Sequence, residues 1–136
     1  MMFYKIMWVS NENELIWELQ NEQVISPKSE IYQKLPFDLI AWADKYKILY
    51  KDWLDNDNHA VYDIYQPENW EVITALMQCK SENYRIFYWF DVDRNRFPDF
   101  EWKHCPVCGD SLVDLGKDYP SFNRLISPKY PIVFPL

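Results

Sequence analysis

The segment His104-Cys105-Pro106-Val107-Cys108-Gly109-Asp110 places two cysteines three positions apart and closes them with a glycine. Such a C-x2-C turn offers two thiolates to a tetrahedral zinc ion, and the glycine permits the backbone conformation that turns amides toward sulfur. A complete structural site needs two more ligands, and its strong signal is a second pair about 15 to 20 residues further on. No Cys or His follows Cys108. Of the other donors, His104 adjoins Cys105 too closely for easy joint ligation. Cys79 falls on the apolar face of a predicted helix, as a small buried hydrophobe, and His59 is far away in sequence. Cys105 and Cys108 are therefore the candidate metal residues of half a site. The expectation is a metal-free turn and no cofactor, with zinc as the alternative. Redox use of the pair would require a helix start after a strand, to depress the first thiol's pKa. Gly109-Asp110 and the strand-like SLVDL follow instead.

The second chemically informative group is acidic. Asp52, Asp55, Asp57, Asp63, Glu68 and Glu71 crowd round one predicted interhelical loop, and Trp53 and Trp70 lie among them. The chain carries 21 acidic against 14 basic residues, a net charge of −7. The imbalance is local: residues 1–84 hold 14 acids and 7 lysines, and residues 85–136 hold 7 of each sign. Nucleic-acid affinity comes mainly from cations that displace phosphate counterions, so this charge disfavours it and points to a basic protein partner. The leading expectation is a small acidic protein-binding module, for example an immunity protein neutralising a basic toxin such as a nuclease. The eight residues named above would form its partner-binding face. The alternative is a zinc-ribbon protein touching nucleic acid through Arg85, Arg94, Arg96, Lys103 and Arg124.

Enzymatic readings have less to stand on. Asp91 with Glu101-Trp102-Lys103 has the D…E-x-K order of a metal-dependent nuclease, a short pattern that ranks third. With only 2 glycines there is no phosphate-cradling loop, and neither histidine lies in a triad context. No residue is assigned a catalytic role.

The elements that must position these groups form one domain over residues 1–136, with an acidic, mostly helical part (1–84) and a strand-rich part (85–136). Residues 2–9 read as a strand. Asn11 and Glu14 match a capping box, which predicts a helix over LIWELQNEQVI. Leu35, Leu39, Trp42, Tyr46, Leu49 and Trp53 recur at helical spacing and predict a helix beginning at Pro36, with its aromatic stripe in the core. DNDNH ends it. Pro67, Glu68 and Glu71 start another helix that runs through EVITALMQCK. YRIFYWFDV predicts a central strand, and residues 91–103 a loop or hairpin. The three prolines of SFNRLISPKYPIVFPL exclude a helix and predict short edge strands only. The fold class is then α+β: about three helices on a small, mainly antiparallel sheet, ending in a degenerate zinc-ribbon-like hairpin. The start MMFYKIMWV lacks the features of a signal peptide, and the longest apolar run, Ile86 to Phe90, cannot span a bilayer. Three cysteines, two of them close together, fit a reducing cytoplasm better than a disulfide framework.

IAWADKYKILYKDWL, the aromatic run YRIFYWF and the later CPVCG together resemble a family of bacterial zinc-ribbon-containing proteins of unassigned function, some of which carry a nucleic-acid-binding label. The resemblance covers residues 39–110. It implies a zinc site to which Cys105 and Cys108 contribute, completed by a second cysteine pair near the C-terminus. The corresponding region here, YPIVFPL, has no cysteine.

Overall fold

The computed structural model describes residues 1–9, 14–119 and 124–135. Its strands are Met2–Ile6 (β1), Ile16–Glu18 (β2), Tyr84–Trp89 (β3), Val113–Asp114 (β4), Arg124–Ile126 (β5) and Ile132–Pro135 (β6). They form one sheet in the order β2-β1-β3-β6-β5-β4. Three of the five pairings are antiparallel, and β3 runs parallel to both its neighbours. Ile86 and Tyr88 of β3 pack on one face with Ile6, Ile132 and Phe134, whereas Phe87 packs on the other with Phe3 and Val133. A strand covered on both faces needs apolar residues at almost every position, which is why YRIFYWF shows no alternation.

The helices are Glu30–Lys34 (α1), Leu39–Asn56 (α2) and Pro67–Leu76 (α3), with 3-10 turns at His59–Tyr62 and Leu115–Lys117. The domain is α+β. On α2 the expected stripe faces inward: Leu39, Trp42 and Leu49 are buried and Tyr46 packs against the core. Trp42 donates its indole N–H to the Glu68 carbonyl at 2.7 Å, fastening α2 to the start of α3. Asn69 fastens the 3-10 turn in turn. Its amide donates to the carbonyls of Val61 (3.1 Å) and Asp63 (2.8 Å), and its oxygen accepts from the Tyr88 hydroxyl at 2.6 Å.

Four expectations need correction. Residues 15–25 are not a helix: Asn11 lies outside the described residues, Ile16–Glu18 pairs with the edge of β1, and Glu18 N–H donates to the Gln23 carbonyl across a tight turn. Ile16 is fully buried there, so long-range pairing overrides the local helical spacing. Helix α2 begins at Leu39 and not at Pro36, because the Asp38 carboxylate caps it by accepting from Ala41 N–H at 3.1 Å. Helix α3 ends at Leu76, so Cys79 follows the helix, half-buried against the core. Finally, β6 is an interior strand. Pro131 precedes it and Pro135 closes it, leaving Ile132, Val133 and Phe134 between them with their donors. The ribbon-like hairpin is not confirmed; at the cysteine turn there is an isolated antiparallel bridge, His104 to Ser111. Among the described residues no helix is long and apolar enough to cross a membrane.

Candidate functional site

The C-terminal end of α2, the 3-10 turn after it and the loop after β3 converge at one end of the domain. Helix α2 stops because Asp57 takes a left-handed conformation (φ 57°) while its N–H bonds to the Trp53 carbonyl at 3.0 Å. Asp is among the residues that tolerate this backbone. Asp52 accepts from the side-chain amides of Asn56 and Asn58, both at 2.6 Å, which hold its carboxyl below the ordinary range. Asp55, Asp57 and Asp63 are exposed. Trp53 is half-buried, with Tyr50 at 5.2 Å and Tyr62 at 5.5 Å between ring centres. Four of the anticipated acids and one aromatic therefore meet here.

The remaining three do not join them. Glu71 pairs with Lys45 at 3.6 Å, about two to three helical turns before the end of α2. Glu68 accepts from the Gln66 amide, and Trp70 packs against Tyr65 and Tyr130.

Residues from the loop after β3 complete the site. His59 Nε2 lies 3.1 Å from Asp57 Oδ1 and 3.3 Å from an Arg96 guanidinium nitrogen, and its Nδ1 lies 3.9 Å from Asp93 Oδ2. A cleft of about 400 Å³ opens between His59, Tyr62, Asp63, Val92, Asp93, Arg96 and Phe97. Burial, reinforced by the nearby Asp93 and Asp91 carboxylates, pushes the Tyr62 hydroxyl up to about 12. Sequence reasoning missed Asp93, Arg96 and Phe97 as partners of residues 52–63. Nothing in the spacing of DVDRNRF ties it to a helix that closes at Asn56, 35 residues before Asp91.

Asp91 is held as a structural anchor. Arg94 grips both its oxygens at 2.8 and 2.9 Å, and Trp102 donates to it at 2.9 Å. Glu101 is exposed. Of the nuclease pattern, Asp91 is thus engaged by Arg94 and Trp102.

The cysteine turn has knuckle geometry. Cys105 N–H donates to the Asp110 carbonyl and Gly109 N–H to the Cys105 carbonyl, both at 2.8 Å, with Gly109 at φ 75°. The Cys105 sulfur accepts from the Ser127 hydroxyl at 3.2 Å and from the N–H groups of Cys108 and Val107. Burial alone would raise the Cys105 thiol, but these hydrogen bonds together hold it below its usual value. All three cysteines are unpaired thiols. The donor set does not fit the zinc that the resemblance implies: His104 is exposed, and among the described residues no three His, Cys, Asp or Glu side chains are grouped to hold an ion. Comparison with family models, curated proteins and solved structures finds no match to the chain.

Proposed function

We propose that the chain is a small protein-binding module whose acidic end, built from Asp52, Asp55, Asp57 and Asp63 around Trp53, receives a basic protein, most concretely a toxin that it neutralises in the cytoplasm. One observation carries this reading. Asp52, Asp55 and Asp57 sit at the C-terminal end of α2, where the helix dipole already places negative charge, and the last turn has no basic residue to offset them. Carboxylates at that position destabilise a helix. A surface that retains self-repelling charge beside an aromatic-lined cleft is suited to a cationic partner, whose side chains relieve the repulsion on docking. The free thiols support a reducing compartment. The nucleic-acid reading has weaker support, because Arg94 is bound to Asp91 and Arg124 to Glu22.

The test is recovery of the tagged chain with its bound protein, followed by Asp55→Lys, Asp57→Lys and Asp63→Lys in combination. The expected partner is basic, with binding lost by about 100-fold or more, several close charge pairs each being worth at least about 1.5 kcal/mol. Undiminished binding by the triple variant would refute the assignment of this face.

A further inference from the structure

We infer that residues 127–132 are the second knuckle of a ribbon-type metal site, in which direct contacts between the knuckles have taken the metal's place. The two turns repeat one hydrogen-bond pattern. In the first, Cys105 N–H donates to the Asp110 carbonyl, five residues on, and the N–H groups of Val107 and Cys108 point at the Cys105 sulfur. In the second, Ser127 N–H donates to the Ile132 carbonyl at 3.1 Å, again five residues on. The N–H groups of Lys129 and Tyr130 point at the Ser127 hydroxyl, at 3.3 and 3.1 Å. The sequences run in step: Cys105-Pro106-Val107-Cys108 against Ser127-Pro128-Lys129-Tyr130. Their separation falls in the range of paired zinc knuckles.

The two turns also face each other. Ser127, 2% exposed, donates to Cys105, and Lys129 Nζ lies 2.9 Å from Asp110 Oδ2. One link is thus hydroxyl to sulfur and the other ammonium to carboxylate, across the space that a tetrahedral ion would bridge. The second turn departs from the first where its side chains abandon ligation. Pro131 stands in place of Gly109 and cannot take a positive φ, and the Tyr130 ring packs against Trp70. Serine at 127 keeps the turn's amides satisfied without offering a third thiolate. The region corresponding to the second cysteine pair therefore starts at Ser127, upstream of the YPIVFPL stretch where the resemblance places it.

The test restores the sulfur. Ser127→Cys should bind one cobalt(II) or zinc ion per chain through three thiolates, each thiol releasing its proton to solvent, with a sulfur-to-cobalt charge-transfer band. Loss of a mere outer-shell partner costs about 10- to 100-fold in metal affinity, so a gained thiolate should tighten binding by more than about 100-fold over the unsubstituted chain. Adding Tyr130→Cys and Pro131→Gly should complete a four-thiolate site and tighten it again. A folded Ser127→Cys chain that takes metal no more tightly than the unsubstituted one would overturn the pairing. One tightly held equivalent of zinc in the unsubstituted chain would overturn the replacement by direct contacts. If Ser127→Cys is unfolded without metal, circular dichroism during zinc addition decides. Recovery of the fold at one equivalent supports the proposal, and failure to recover overturns it.

Discussion

Lys5 Nζ lies 2.6 Å from Glu22 Oε2 and 4.3 Å from the centre of the Trp89 ring, with the lysine only 1% exposed. Glu22 also accepts from Arg124, so one carboxylate serves two cations. It does so from a left-handed backbone position, φ 56°, at the turn that returns the chain toward β2.

Removing one partner of a buried pair strands the other, whereas replacing the lysine by an apolar side chain of similar length does not. Glu22→Ala should therefore cost about 2 kcal/mol, less than for a fully buried pair because the carboxylate is partly exposed. Lys5→Met should cost under about 1 kcal/mol. Urea unfolding of both variants checks the order, and equal losses would contradict it.

The same carboxylate sets an acid limit. Burial works to raise Glu22, but the hydrogen bonds and charges of Lys5 and Arg124 win and its folded pKa lies below the ordinary value. A depressed pKa contributes stability above the unfolded-state value that is lost as pH falls through the folded one. Lys5 is lowered chiefly by burial, so its charge opposes folding below its folded pKa and the opposition fades as pH rises through that lowered value. Stability should thus fall on acidification below about pH 4.5, and Glu22→Gln should remove part of that slope in pH-dependent melting.

Acidic charge at the end of α2 predicts a trade between stability and binding. Asp55→Lys should stabilise the free protein by about 0.5 kcal/mol through the helix dipole while slowing association with a basic partner. Thermal melting and stopped-flow association at two salt concentrations measure the two effects. An ordinary solvated face would show the first without the second.

The Asn69 network positions that face from inside. Asn69→Ala should cost about 3 kcal/mol, leaving buried carbonyls and the Tyr88 hydroxyl without partners, and Tyr88→Phe about 1–2 kcal/mol. If the network holds the turn at residues 59–62 in place, backbone amide exchange there should quicken in both variants.

Gly109→Ala isolates the cost of backbone conformation, since an added Cβ meets nothing within 4 Å. The left-handed backbone alone should cost about 1 kcal/mol. Thiol labelling reports on the same turn: half-exposed Cys108 should react before Cys105, which is 2% exposed. Opening of the turn in Gly109→Ala should narrow that difference.

What could be read from the sequence followed the range of the forces involved. Helices α2 and α3 were legible because their periodicity, Pro67 and the DNDNH stop act within a few residues. The apolar density of β3 announced a strand covered on both faces. By contrast, Ile16–Glu18 owes its conformation to the edge of β1, and Ile132–Pro135 owes its interior place to β3 and β5, partners that local spacing does not encode. The same division holds at the site. Asp52 to Asp63 are neighbours in the chain and could be grouped by eye, but Asp93, Arg96 and Phe97 reach them through the sheet, and Glu71 leaves them for Lys45.

The parallel placement of β3 between β1 and β6 governs how the molecule is made. Met2 lies opposite Tyr84 and Tyr88 opposite Ile132, so this aromatic strand gains its two neighbours from segments far away in the sequence. Each pairing must close a long loop before any contact rewards it, which slows folding. During synthesis β3 can pair with β1 but keeps a bare, sticky edge until the residues of β6 have emerged. Residues 132–135 therefore act as the cover of an aggregation-prone seam in their own molecule.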